Sequence, residues 1–174
     1  MKNRGTDEIK GAEKQFWWHF RGITNTKQIP DSLEGIKWID TEDDDLHMSF
    51  LVDRIPVIHH IFMKETELTD EGVQWIGQIK ELRTLTLMKH PKITRKSLPY
   101  LNNLTKLEYL DLWRTGIILE DLCELTHLKN LRELKVSPTA WDENDGYPEM
   151  ERDLILEKVI ELEGLFPGCI INVD

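Results

Sequence analysis

Apolar positions recur along this chain at a fixed spacing. Leu82-Arg83-Thr84-Leu85-Thr86-Leu87, Leu107-Glu108-Tyr109-Leu110-Asp111-Leu112 and Leu131-Arg132-Glu133-Leu134-Lys135-Val136 share the pattern L-x-x-L-x-L, displaced by 25 and 24 residues. A step of 24 backwards reaches Ile58-His59-His60-Ile61-Phe62-Met63, and a further 25 reaches Leu33-Glu34-Gly35-Ile36-Lys37-Trp38. In each hexad the last two apolar residues alternate with polar ones, the period-two signature of a strand with one buried face. The first apolar residue closes the preceding turn. One such strand cannot bury its apolar face alone, but stacked copies can, so five units in register predict a parallel sheet.

The segments between hexads carry a helical pattern. Thr69-Asp70-Glu71 precedes Val73, Trp75, Ile76 and Ile79; Ser97 opens a second set with Leu98, Leu101 and Leu104; Glu120-Asp121 opens a third with Leu122, Leu125 and Leu128. Acids in a first turn suit the positive end of a helix. By the same reasoning the run Asp40-Thr41-Glu42-Asp43-Asp44-Asp45 starts a helix from Asp43 to about Val52. The pattern therefore predicts an α/β fold, with strands on a concave face and helices on the convex one. Residues 1–32 form an N-terminal helical cap, 33–140 about five repeats and 141–174 a C-terminal cap. In the first, a helix from Thr6 to Arg21 packs Ile9, Ala12, Phe16 and Phe20 onto the first repeat, with Trp17 alongside. In the last, a loop from Trp141 leads to a helix from Pro148 to about Glu163, and Pro167-Gly168 turns into a strand, Cys169 to Val173.

From Leu33 to Val136 the chain resembles the leucine-rich-repeat family, in the type whose units read L-x-x-L-x-L-x-x-(Asn/Cys)-x-x-(Ile/Leu)-Thr-Asp-x-Gly-Leu. Leu68-Thr69-Asp70-Glu71-Gly72-Val73 carries that phrase, and Ile93-Thr94-Arg95-Lys96-Ser97-Leu98 a modified form. The Asn/Cys column departs from the family: Thr66, His90, Thr115 and Thr139 stand there. A Thr hydroxyl still bonds neighbouring backbone groups, so the turn survives with a weaker ladder. The resemblance implies a right-handed solenoid whose strand-lined concave face recognises proteins. Some members select substrates for ubiquitin ligases through an F-box ahead of the repeats. The stretch before Leu33 lacks that pattern, and the role is not carried over. The layout, with the single stretch Ile39-Asp40-Thr41-Glu42-Asp43, is also similar to a mitochondrial coupling-factor-like repeat protein, a likeness of arrangement only.

Composition narrows the function classes. Net charge is −10, and between Asp142 and Glu163 nine acids face only Arg152 and Lys158. A phosphate backbone is repelled by such a chain, so no nucleic acid is expected as partner. No apolar run approaches the roughly 20 residues needed to span a bilayer, and no membrane is expected. The first residues lack the apolar stretch of a secretory signal, and acids arrive too early for a transit peptide. The expectation is a cytoplasmic protein, monomeric when free, with Cys123 and Cys169 as reduced, buried core residues.

Reading outward positions across the units gives three columns on the concave face: His60, Thr84, Tyr109, Glu133; Phe62, Thr86, Asp111, Lys135; Lys64, Met88, Trp113, Ser137. Phe62, Met88, Tyr109 and Trp113 are larger than a solvated face requires, and Trp and Tyr dominate interface hot spots. The candidate partner-binding residues are therefore His60, Phe62, Lys64, Met88, Tyr109, Asp111 and Trp113, with a protein or peptide as partner. The alternatives are a terminal segment folded over the patch, and a chain that serves as an assembly subunit of a larger complex. No metal or cofactor is expected. His59 and His60 are neighbours on a strand and point to opposite faces, and the other histidines are scattered. The stretch Asp142-Glu143-Asn144-Asp145-Gly146 has its Gly at the fifth loop position and Asp153 at the twelfth, which does not match a calcium loop. Gly-rich phosphate loops, G-x-S-x-G and H-E-x-x-H are missing from the sequence, so no enzyme is expected.

Overall fold

A computed structural model describes residues 4–141 and 146–174 of the chain. The calcium-like stretch at 142–145 lies outside them.

Six parallel strands form one open sheet in chain order: β1 (Ser32–Ile39), β2 (Val57–Lys64), β3 (Thr84–Met88), β4 (Tyr109–Leu112), β5 (Glu133–Val136) and β6 (Ile170–Val173). The pairing follows the repeat register: Gly35 opposite His60, His60 opposite Thr84, Thr84 opposite Tyr109, Tyr109 opposite Glu133, Glu133 opposite Ile170. Between the strands run α2 (Asp45–Arg54), α3 (Asp70–Ile76), a 3-10 turn at Arg95–Ser97 continuing into α4 (Leu98–Leu101), and a 3-10 segment at Leu119–Glu124. At the two ends stand α1 (Arg4–Arg21) and α5 (Arg152–Leu165). Strand, helix and strand alternate into a curved, right-handed solenoid-type sheet. Its core is a spine of fully buried side chains from every unit: Ile58, Ile61 and Met63, then Leu82, Leu85 and Leu87, then Leu107, Leu110 and Leu112. Each such side chain is worth about 1.5–3 kcal/mol relative to exposure.

The Thr-Asp phrase acquires a physical meaning here. Thr69 Oγ1 accepts the Glu71 N–H and caps α3, while the Asp45 carboxylate accepts the Thr69 N–H (2.8 Å), the Thr69 hydroxyl (2.6 Å) and the Gly72 N–H (2.9 Å). One unit on, the Asp70 carboxylate accepts the Thr94 N–H (2.7 Å), the Thr94 hydroxyl (2.7 Å) and the Ser97 hydroxyl (2.5 Å). Each carboxylate thus fastens the next unit to its own. The next residue in this column is Arg95, which cannot accept; its guanidinium turns instead to Glu124 and Asp121. Gly72 belongs to the same device, because a Cβ there would collide with Leu68 Cδ1 and Asp45 Oδ1. Gly72→Ala is expected to lower stability by about 1–3 kcal/mol, the usual range of a forced fit into a packed site, read from urea denaturation.

Each of the first four units leaves its strand through a left-handed residue: Asp40 (φ 52°), Glu65 (53°), Lys89 (59°) and Arg114 (57°). A non-glycine residue in this region carries a cost of about 1 kcal/mol or more. The fifth unit has Pro138 in this column, and proline cannot take a positive φ. The repeat spacing therefore ends where the ring forbids its turn.

Several expectations are corrected. The convex segments are shorter than their apolar patterns predict. The residue that caps the segment after β3 is Thr94, not Ser97, whose buried hydroxyl serves Asp70 instead. The segment at Leu119–Glu124 is a 3-10 helix, whose three-residue period puts Leu119 and Leu122 on one buried face. That period turns Cys123 outward, so it is exposed rather than buried. Cys169 is buried, and burial pushes its thiol up to about 11. α2 begins at Asp45, with Asp44 capping through the His47 N–H. α5 begins at Arg152 rather than Pro148, whose carbonyl instead accepts the Thr139 hydroxyl at 2.6 Å. On α1, Phe16 and Trp17 are buried, but Asp7 to Gly11 are exposed and Ile9 does not pack on the first repeat.

Candidate interaction face

The register places the nominated side chains on one surface. His60 stands two strands from Tyr109 in one column, Phe62 two strands from Asp111 in the next, and Lys64 beside Met88 in the third, with Trp113 just past the end of β4. They do not form a bare apolar patch. Phe62, Met88, Tyr109 and Trp113 are all half-buried, and three of them lie under cations. Lys37 Nζ sits 5.2 Å from the centre of the Phe62 ring, Lys135 Nζ 5.6 Å from Tyr109, and the Arg114 guanidinium 4.3 Å from Trp113. Ammonium and guanidinium groups are drawn to the negative face of an aromatic ring, and such contacts contribute about 0.5–2 kcal/mol. Sequence columns did not single these cations out, because the ring and its cation lie on different strands or, for Trp113, the cation is the left-handed residue that follows it.

Asp111 differs most from expectation. It is 5% exposed, at the floor of the face rather than on its surface. Its carboxylate accepts the Trp113 N–H at 2.9 Å and the Tyr109 hydroxyl at 3.2 Å. Burial raises its pKa above the usual carboxylate range, against the pull of those two donors and of Lys135. Burial raises the Tyr109 hydroxyl as well. The Asp111 carboxylate thus positions the Tyr109 and Trp113 segment from below.

The column at the rim is charged. The Lys89 ammonium is bonded to Glu65 and holds that carboxyl down at about 2, while Asp40, sharing a hydrogen bond with Glu65, is raised. Over the strand positions and the left-handed rim, Lys37, Lys64, Lys89, Arg114 and Lys135 balance Glu34, Asp40, Glu65, Asp111 and Glu133. A chain of net charge −10 thus presents a charge-balanced strand face, its excess of acid lying elsewhere.

A segment of the C-terminal cap reaches this face. The Tyr147 ring lies 5.0 Å from the Arg114 guanidinium, which also stacks on Trp113. Beside them is an apolar cavity of about 410 Å³ lined by Trp113, Pro138, Tyr147, Pro148, Met150 and Ile155. Among the described residues the terminal segment meets the face at Trp113 and Arg114.

The histidines are engaged separately. His59 Nδ1 lies 3.2 Å from the Glu81 carbonyl, and His60 Nδ1 lies 2.8 Å from Thr84 Oγ1 with Glu34 at its other nitrogen. His90 is buried in the turn, where Nε2 accepts the Thr66 N–H at 3.2 Å. Among the described residues no group of three or more His, Cys, Asp or Glu side chains is placed to hold a metal ion, and no helix is long and apolar enough to cross a membrane. No protein-family model matches the chain, and no curated protein matches it.

Proposed function

We propose that the chain is a leucine-rich-repeat protein that works as a non-enzymatic interaction module, holding a protein or peptide on its concave strand face. The family reading is supported by the 24–25 residue register, by the left-handed exit after each of the first four strands and by the Thr-Asp bonds between units. The functional reading is carried by one observation: Phe62, Tyr109 and Trp113 stand on the face without serving the core, each lidded by a cation that a partner's carboxylate or carbonyl can draw aside. Uncovering a ring exposes apolar surface beside a free positive charge, the composition of an interface hot spot.

The experiment compares wild type with Trp113→Ala and Tyr109→Ala in affinity capture from native lysate, with melting curves in parallel. The expected result is capture of a defined protein by wild type, weakened at least tenfold by either substitution, with a small loss of Tm. Loss of stability with capture unchanged would reject the face as the binding site.

A second reading, a permanently packed subunit of a larger assembly, is favoured by the C-terminal cap. There Leu156 (50% exposed) and Ile160 (68%) lie one turn apart on α5, and Ile170 (64%) stands on the edge strand β6. Light scattering separates the two: a recruited module is monomeric when free, whereas an obligate subunit self-associates through such surface.

A further inference from the structure

At the end of the strands opposite Trp113, the chain enters each unit through a polar turn. The residues immediately before β3, β4 and β5 are Arg83, Glu108 and Arg132. Their backbones tie them in a row: Glu108 donates its N–H to the Arg83 carbonyl and Arg132 its N–H to the Glu108 carbonyl, both at 2.8 Å. The turns themselves add Lys106 and Lys129. The Asn130 amide donates to the Thr105 carbonyl at 2.8 Å and so fastens one of these turns to the other. Together these residues and Gly168 line a pocket of about 420 Å³.

The charge of this pocket runs against that of the molecule. The chain has 32 acids to 22 lysines and arginines, yet four cations and a single carboxylate, Glu108, line the pocket. Glu81 adjoins it but holds the Lys106 ammonium, at 2.6 and 2.7 Å. With Glu81 counted, cations still outnumber carboxylates four to two. Glu133, next in sequence to Arg132, is engaged by Lys135 and Asn172 instead. Glu108 lies 3.5 Å from the Arg132 guanidinium. Arg83 and Lys129 therefore remain, both exposed and, among the described residues, neither in an ion pair. A local excess of positive charge on a chain of net charge −10 favours an anionic occupant.

We infer that this rim pocket binds a phosphorylated serine or threonine in a segment of a partner protein. The two unpaired cations set the match. A phosphorylated side chain carries about −1.5 to −2 charges and three strong acceptor oxygens. The planar fork of Arg83 takes two of those oxygens in parallel, and Lys129 supplies a compact second charge. A lone carboxylate brings a single charge and leaves one cation unanswered. The pocket shares no residue with the nominated concave face, so the two sites stand or fall separately.

The test is selection from a degenerate nonapeptide library with phosphoserine fixed at its centre, on the full-length chain. Matching libraries carry serine or glutamate at that place. The expected result is enrichment from the phosphoserine library alone. An enriched peptide, synthesised, should lose at least tenfold in affinity for Arg83→Ala and several-fold for Lys129→Ala. Arg83→Lys, which keeps the charge and loses the fork, should also lose several-fold. Lys96→Ala, which removes an exposed cation from another turn, and Trp113→Ala should bind within twofold of wild type. Arg83, Lys129 and Lys96 are all exposed, so these substitutions leave the core intact, which melting curves verify. Three results would overturn the inference: no phosphoserine peptide enriched; a glutamate peptide bound as tightly as its phosphoserine counterpart; or an enriched peptide that Arg83→Ala retains or Trp113→Ala loses, which would place it on the concave face.

Discussion

Asp70→Ala is expected to destabilise the protein by about 3 kcal/mol in urea denaturation at pH 7. The Asp70 carboxylate accepts three bonds from the following unit, two from Thr94 and one from Ser97. Ser97 is fully buried, so its hydroxyl cannot turn to water when the acceptor is removed. A hydrogen bond to a charged acceptor contributes about 1.5–3 kcal/mol, and an orphaned buried donor costs about 1–3 kcal/mol, with contributions from one network overlapping rather than adding. Asp70→Asn keeps one acceptor oxygen and should lose roughly half as much. A loss below about 1 kcal/mol in the alanine variant would show that the bonds between units are not what holds this joint.

The second large effect depends on pH. His90 is 1% exposed, and burial lowers its pKa from 6.5 to about 4, with Nε2 engaged as acceptor by Thr66. The folded state therefore holds a neutral imidazole where the unfolded chain takes up a proton. Above pH 6.5 neither state is protonated and the residue has no pH-dependent effect. As pH falls from 6.5 towards 4 the unfolded state is favoured by about 1.4 kcal/mol per unit, about 3 kcal/mol in all, and below that range the effect is constant. The measurement is the difference in unfolding free energy between wild type and His90→Asn from pH 7 to pH 4. Carboxylate titrations shared by both proteins cancel in that difference. Asparagine retains an acceptor for the Thr66 N–H and does not titrate, so wild type should lose about 3 kcal/mol relative to it. Parallel curves would mean that the imidazole becomes protonated inside the fold.

Much of the architecture was legible in the residues. The alternation in Leu82–Leu87, Leu107–Leu112 and Leu131–Val136 requires strands of one hand and one direction, since each buries the same face at the same step. The Thr-Asp-Glu start of α3 was legible because a cap is local. Ser97 and Pro148 misled for the opposite reason. Each is a good local start signal, yet Ser97 was claimed by Asp70 of the preceding unit and Pro148 by Thr139. Cys123 misled because a leucine at every third position satisfies both an α-helical and a 3-10 reading, and the two differ in which residue they bury.

The nominated face shows the same division. His60, Phe62, Lys64, Met88, Tyr109, Asp111 and Trp113 could be assigned to one surface from spacing, because strand side chains alternate whatever surrounds them. Whether each reaches solvent could not. Asp111 sinks to the floor under Tyr109, and Lys37, Arg114 and Lys135 settle over three rings, through contacts between neighbouring strands or through the left-handed backbone of Arg114 itself. The groove between α1 and β1, lined by Phe16, Phe20 and Trp38, was further from view still. It exists because a stack must end, and because α1 packs Phe16 and Trp17 against the first unit without bonding to the strand edge.

By itself, then, the sequence determined which apolar residues of the strand hexads face the core and in what register the strands pair, because these follow from a periodic pattern of apolar side chains. Only the tertiary structure decided where the carboxylates between units are spent, which aromatic rings are covered and which edge is left open. Those outcomes depend on groups some 24 residues apart meeting within hydrogen-bond distance, as Asp70 and Thr94 do, and on competition among neighbours for the same partner.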